Sequence, residues 1–379
     1  MRSKWPMSAA ALRQLSLPSV PFSGARIARR LGAAQLASLQ HDGFCVVDGC
    51  YESPWLAAAR EEILLANKHG CMATNHTHVL VPGGDGAATR REVVAKQHVH
   101  ELDSVVSGHL VDVLPCAREL QRDLAVRAAI DQHLPHLGMR SGEQPLKLQF
   151  NAGYGGCFPM HTDADFTSAE QADNRVLTAL LFLNPEHQPE HGGQLRLYPL
   201  LTEPVDIEPI DGRMVLFSST LMLHRVLPSR PGPEHPRCVA TVWFHGDTSP
   251  DAGGVLARRK TAAKMPLSQN ATAVDVAIFL LQPCYRSLTA RLLYAQEWSD
   301  SIKESHPAGA KTDRLVAQHW KNVDRIAASF RPLLPTLDDG LEQLRDARHQ
   351  AAAHSERHTA GETKGASFPP LPGVLEWLV

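Results

Sequence analysis

Between Lys147 and Gly246 the chain breaks into seven short apolar runs: LKLQFNA, VLTALLFLN, GQLRLYPL, VDIEPI, RMVLFSS, HRVLP and CVATVWFHG. Most are separated by Gly, Pro or Asp turns, and several alternate with period two. Strands of this length at such regular spacing fold into a β-sandwich or a small barrel. The flanks read differently. Ala33 to Leu39 and residues 54–68 have helical patterns, with Pro54 at a first helical position and Gly70 at the stop. Gly43 to Val47 reads as a strand. Helical periodicity runs over 105–137 (Val105, Leu110, Val113, Leu114, Leu120, Leu124, Ile130, Leu134), and Pro115 is expected to break it into two helices. Residues 270–298 and 312–334 are helical in pattern, and 345–366 read as a polar linker or solvated helix end.

The chemistry concentrates in FPMHTDADFT. On an extended segment, residues two apart point to one face, so His161 and Asp163 can converge on a divalent cation. His224, in LMLHRVLPS of the same strand block, supplies the third donor. Two histidines and one carboxylate on one side of a metal leave the other positions open for substrate and oxygen, as in non-haem Fe(II) oxygenases. A histidine two residues before an aspartate is weak alone, since His245 and Asp247 match it too, but no partner histidine follows them in the block. Arg237 opens RCVATVWFH, whose alternation places Arg237, Val239, Thr241 and Trp243 on one face. An inward guanidinium needs an anionic partner, and a dicarboxylate co-substrate provides one. The opposite orientation would bury Cys238 and Ala240 and leave Val239 and Trp243 outside.

Residues 147–246 resemble the 2-oxoglutarate- and Fe(II)-dependent dioxygenases, in particular their prolyl 4-hydroxylase branch. The resemblance is carried by GGCFPMHTD, RVLTALLFLN, GGQLRLYP, DIEP with RMVLF, and His224 with RCVATVWF. AQLASLQHDGFCVVDG extends it, more weakly, back to about residue 33. It implies an α+β chain: a double-stranded β-helix (jelly-roll) core with N-terminal supporting helices and a helical C-terminal extension. It implies Fe(II) on His161, Asp163 and His224, with 2-oxoglutarate and O2 as co-substrates and ascorbate as a further candidate. Arg237 would pair with the distal carboxylate of 2-oxoglutarate. Thr241, Thr178, Leu180 and Phe182 would line its pocket. Two positions depart from the branch: Asn151 and Phe182 stand where tyrosines are common, and Asn151 and Tyr154 are the residues able to compensate. The loop SRPGPEHP also lengthens the interval from His224 to Arg237. The implied reaction hydroxylates a C–H bond, of a prolyl residue in a protein or peptide or of a small molecule, and yields succinate and CO2. Two other readings remain open: a binding scaffold with a relic jelly-roll, and a cupin-type metalloenzyme.

The resulting division is 1–32, a basic segment; 33–146, a helical N-terminal part of the catalytic domain; 147–248, the core; and 260–379, the helical extension, which is a candidate support for the barrel, homodimer surface or substrate-recruiting part. Before Asp42 there is no acid, only Arg2, Lys4, Arg13, Arg26, Arg29 and Arg30, so residues 1–32 suit a transit peptide as well as a basic tail. Residues 81–91 are expected to be a mobile loop and 71–99 a lid. The closing FPPLPGVLEWLV is expected to dock on the core. With 38 basic and 40 acidic residues the net charge is −2, which gives no support to bulk nucleic-acid binding. The longest apolar stretch, from Ala273, is too short to span a bilayer. The seven cysteines form no CxxC, which favours a reducing compartment. An intracellular, soluble protein is the expectation, cytoplasmic or, with a transit peptide, mitochondrial or plastid.

Overall fold

The computed structural model describes residues 20, 22, 30–81, 90–164, 174–200, 202–230, 232, 234–246, 271–282, 285–331 and 336–359. Two antiparallel sheets face each other. The strands are β1 (Phe44–Val47), β2 (Ala73–Val81), β3 (Arg90–Asp103), β4 (Leu146–Asn151), β5 (Phe158–His161), β6 (Arg175–Phe182), β7 (Leu195–Tyr198), β8 (Val205–Ile207), β9 (Met214–Ser218), β10 (Leu223–Val226) and β11 (Arg237–His245). The major sheet runs β1-β9-β6-β11-β4-β3-β2 and the minor sheet β5-β10-β7-β8. Every strand-like run between residues 146 and 246 is therefore a strand, as the alternation predicts.

Strand β11 shows why the pattern works. Cys238, Ala240, Val242 and Phe244 join the core formed with the N-terminal helices, while Val239 joins the core between the sheets. Arg237, Thr241 and Trp243 share the Val239 face and are also buried. Period two thus sorts one strand into two environments. The first core is built by α1 (Ala33–His41), α2 (Ser53–Lys68), α3 (Ser104–Val111), α4 (Pro115–Arg122) and α5 (Ala125–His133). Pro115 does interrupt the helical stretch. A second break follows at Asp123, whose Oδ1 accepts the Ala125 amide at 2.8 Å, so the stretch holds three helices rather than two. Val105 does not join the apolar face and is 76% exposed.

Two expectations are corrected. The described part of 33–146 holds five α-helices, as expected, and beside the expected β1 it also supplies β2 and β3. The segment expected as a lid, 71–99, is largely the β2–β3 hairpin, which pairs with β4 and widens the major sheet. The loop expected at 81–91 is strand at Val81, Arg90 and Arg91, and 82–89 lie outside the described residues. Alternating Val79, Val94, Lys96 and Val99, all buried, hold the hairpin on the molecule.

The C-terminal helices are α6 (Ala273–Leu280), α7 (Arg286–Leu293), α8 (Ala295–Ser305), α9 (Ala310–Phe330) and α10 (Leu337–Thr359). The polar stretch from 345 continues α10 to Thr359 and is no linker there; 360–366, the closing FPPLPGVLEWLV and most of 1–32 lie outside the described residues. Val276, Phe279, Trp298, Ile326 and Phe330 share one core with Met160, Leu197 and Tyr198 of the minor sheet. Helix α8 fits closest. Its buried Ser301 hydroxyl accepts the Met160 amide of β5 at 3.0 Å, which satisfies a donor on that edge strand. Glu304 pairs with Arg225 of β10. No described helix is long and apolar enough to cross a membrane.

Candidate active site

Opposite each other on β5 and β10 stand His161 and His224, a registered cross-strand pair with ring centroids 4.3 Å apart. Asp163 follows β5 by two residues. Its Oδ1 lies 3.6 Å from His161 Nε2 and 3.7 Å from His224 Nε2. One donor atom from each of the three residues falls within 4.8 Å of the others, the only such group of His, Cys, Asp or Glu among the described residues. The structure thus brings together the two histidines and the aspartate singled out in the sequence. His245, of the second match, sits at the far end of β11 and outside this group.

Hydrogen bonds fix which atoms face inward. His161 Nδ1 lies 2.9 Å from the Pro159 carbonyl, and His224 Nδ1 lies 3.1 Å from the Met222 carbonyl. A carbonyl only accepts, so each Nδ1 carries a proton and donates it, and each Nε2 is turned towards Asp163. Asp163 is held in the same manner. Its Oδ2 accepts the Thr178 hydroxyl at 2.6 Å and the Trp243 indole N–H at 3.1 Å, leaving Oδ1 to the histidines. Thr178 has one hydroxyl proton, so the Ser219 hydroxyl at 2.8 Å must donate to it.

Burial pushes the Asp163 carboxyl up, but His224, His161 and the Thr178 hydroxyl outweigh it and hold the group well below the usual carboxylate range. Burial, with the neighbouring His161, pushes His224 down to about 4. At neutral pH the set is a carboxylate and an unprotonated His224, the forms a divalent cation requires.

At the other end of β11, Arg237 is buried. Its Nε donates to the Gly193 carbonyl at 2.7 Å and its Cζ stands 5.2 Å from the centre of the Phe182 ring. One terminal nitrogen, NH2, is buried without a partner. Burial lowers the group to about 10, so it remains protonated at neutral pH. A buried, half-satisfied cation in the interior of a sandwich suits an incoming carboxylate. Gly193 keeps that space: a Cβ there would lie 2.9 Å from Arg237 Cδ and 2.7 Å from Ser229 Oγ, at a φ of +73°.

The remaining expected pocket residues divide. Thr241, Leu180 and Phe182 lie on inward, buried faces. Thr178 also points inward, but its hydroxyl serves Asp163. Asn151 pairs in register with Arg237, yet its amide is engaged by the following turn: Nδ2 donates to the Gly156 carbonyl at 2.7 Å and to Ser229 at 3.2 Å, and Oδ1 accepts the Gly153 amide at 3.0 Å. Tyr154, with positive φ, is exposed. The indole of Trp243 as an Asp163 partner was hidden in a position readable only as inward-facing. A groove of about 640 Å³ opens on His161 and Asp163, walled by β2 and β3 on one side and by Trp298, Ile302 and His306 of the C-terminal part on the other.

Residues 147–245 match the model of the 2OG-Fe(II) oxygenase superfamily. Among solved structures, that of prolyl 4-hydroxylases from Phytophthora capsici is similar at 26% identity and a TM-score of 0.65, covering 92% of this chain and 100% of that one. A prolyl-4-hydroxylase from Pseudomonas putida shares 21% identity with a TM-score of 0.40, over 57% of this chain and 98% of that one. A Trichoplax adhaerens prolyl hydroxylase, solved with a peptide fragment of hypoxia inducible factor, shares 19% with a TM-score of 0.43, over 59% and 90%. The first similarity runs through the C-terminal helices as well as the core. Residues 147–245 are a 2OG-Fe(II) oxygenase domain, whose chemistry uses Fe(II), 2-oxoglutarate and O2, and the chain is similar over nearly its whole length to the prolyl 4-hydroxylases of Phytophthora capsici.

Proposed function

We propose that His161 Nε2, Asp163 Oδ1 and His224 Nε2 hold the Fe(II), that Arg237 pairs with the distal carboxylate of 2-oxoglutarate, and that the reaction hydroxylates a prolyl residue of a protein or peptide. The convergence of three donor atoms on one point carries this reading. When bound, the metal with 2-oxoglutarate and O2 supplies the oxidising power. The chain's residues orient and exclude. Pro159 and Met222 carbonyls aim the imidazoles. Thr178 and Trp243 occupy Asp163 Oδ2, so the carboxylate offers one oxygen and keeps its charge. Arg237 sets the far end of the co-substrate, with Thr241 and Leu180 excluding water beside it. The prolyl substrate is favoured by the similarity of nearly the whole chain to the Phytophthora prolyl 4-hydroxylases and by a groove with room for a peptide beside Asp163. An anaerobic titration with Fe(II) and 2-oxoglutarate tests the site. A visible metal-to-ligand charge-transfer band that needs both components, and is lost in Asp163→Ala, is expected. A folded protein without the band would refute the ligand assignment. Screening proline-containing peptides for succinate release and a mass gain of one oxygen tests the substrate.

A further inference from the structure

Lys96 is 9% exposed and lines the groove that opens on His161 and Asp163. On β3 it shares the inward face with Val94, where an apolar residue would cost nothing. Its ammonium lies 4.7 Å from the centre of the Phe158 ring and donates to the neutral Asn75 Oδ1. An ammonium has three donors, so one acceptor and one ring leave it incompletely satisfied. The acid nearest in the network, Glu101, is already engaged: it accepts from Asn75 Nδ2 and pairs with Lys147 at 3.1 Å. Among the described residues no carboxylate forms an ion pair with Lys96. Of the other titratable groups that act on it, Cys157 is pushed up to about 12 and His306 is pushed down by burial, so both are neutral at pH 7. Lys147 pairs with both local acids, Glu101 at 3.1 Å and Asp103 at 3.7 Å, while Lys96 meets Glu101 only through Asn75 and holds no ion pair of its own.

A buried cation without an ion pair is costly, and an arriving anion relieves it. Position says where that anion belongs. Phe158 touches Lys96 on one side, and its ring centre is 6.4 Å from that of His161 on the other. Across the groove stand Trp298, Ile302 and His306, and His306 Nε2 meets Thr77 Oγ1 of β2 at 2.8 Å, closing the far end between hairpin and helix. A segment lying in this groove therefore passes Lys96 before its reacting carbon reaches Asp163.

We propose that Lys96 holds an acidic side chain of the substrate, so that the enzyme selects peptide segments with a Glu or Asp close to the hydroxylated residue. At about 3.3 Å per extended residue, the two ring contacts place that acid within about three positions of the reacting one. Burial brings Lys96 down to about 8, so it is still mainly charged at pH 7, ready to pair. The inference rests on reading this groove as the substrate channel.

The test uses the full chain under nitrogen. Trp243 and Trp298 line the groove and report binding by fluorescence. The probes are proline-centred heptapeptides with one Glu at each flanking position in turn, beside their Gln and Lys counterparts. At one or two positions Glu should bind about tenfold or more tighter than Gln, the size of a charge-assisted hydrogen bond. Lys96→Met should abolish that difference, Lys96→Arg retain it, and Lys96→Glu turn the preference towards Lys. Equal binding of Glu and Gln peptides to the wild-type chain would overturn the proposal, whatever the variants do. So would a Glu preference that survives in Lys96→Met, or no peptide binding into the millimolar range. The readout is independent of turnover. Loss of the Fe(II)/2-oxoglutarate band with an intact Glu preference would sink the ligand assignment and leave the groove inference standing; the reverse result would do the opposite.

Discussion

Replacing Thr178 by Val separates the positioning of Asp163 from its identity. Val has the shape of Thr without the hydroxyl, so the buried site stays filled. What is lost is the 2.6 Å hydrogen bond to Asp163 Oδ2, leaving that oxygen with the Trp243 indole alone. A hydrogen bond to a charged group contributes about 1.5–3 kcal/mol, and loss of such an outer partner of a metal ligand weakens metal binding by roughly 10- to 100-fold. Metal affinity should be measured by titrating Fe(II) anaerobically, or Co(II) in air, with thermal unfolding of the metal-free chain recorded in parallel. Ser219 also loses its acceptor in this variant, so Ser219→Ala is the control; it leaves the Thr178–Asp163 bond in place and should bind metal within a fewfold of wild type. Wild-type affinity in Thr178→Val would refute the argument that Asp163 is aimed through its second oxygen.

Other expectations concern the two ends of the site and its supports. Arg237→Met should raise the 2-oxoglutarate concentration needed for half-saturation by about tenfold or more while leaving metal affinity nearly unchanged, as read in separate titrations. Gly193→Ala would force a Cβ against Ser229 and Arg237 at a left-handed φ, and should lower both thermal stability and 2-oxoglutarate affinity. Glu62 is buried and accepts the Cys116 and Ala117 amides, and burial pushes it up to about 7. The folded state therefore holds this proton more tightly than the unfolded chain. Its stabilising effect is full below about pH 4.5 and is lost as pH rises to about 7. Denaturant titrations of wild type and Glu62→Gln across that window should diverge with this sign.

The strands and the face shared by His161 and Asp163 were legible because both follow from local rules. Period two sorts β11 residue by residue, and two residues on an extended run share a face whatever the fold around them. The hairpin was less legible. VPGGDGAATRR punctuates like a free loop, and His76, His78, Lys96 and His98 interrupt the apolar alternation on either side. Only pairing with β4 turns those residues into strand. Asn151 and Thr178 show another limit. Both were placed in the right region, but a hydroxyl or amide cannot announce its partner. Asn151 is engaged by Gly153, Gly156 and Ser229, close in chain or brought close by the fold, while Thr178 reaches Asp163 across the sandwich. The C-terminal helices were legible as helices, but whether they support the barrel, dimerise or recruit substrate was left open by the sequence. Ser299, Ser301 and Ser305 look like a solvated stripe, yet all three are buried, and Ser301 answers an edge-strand amide.

Arg60 on α2 has a consequence for where this protein can be cut. Its guanidinium reaches the Leu183 carbonyl and Asn184 Oδ1 at the end of β6, and the Pro236 carbonyl immediately before Arg237. One side chain from outside the recognisable stretch thus ties the two strands that carry Phe182 and Arg237. On the opposite side, α8 supplies the hydroxyl that completes β5. The stretch that sequence comparison recognises, 147–245, is therefore not expected to fold alone. A fragment trimmed to it would lose its Arg60 clasp, its Ser301 cap and the helices covering Cys238 and Ala240. A fragment expected to fold alone runs from the N-terminal helices through at least α8, so that the chemistry travels with its whole casing.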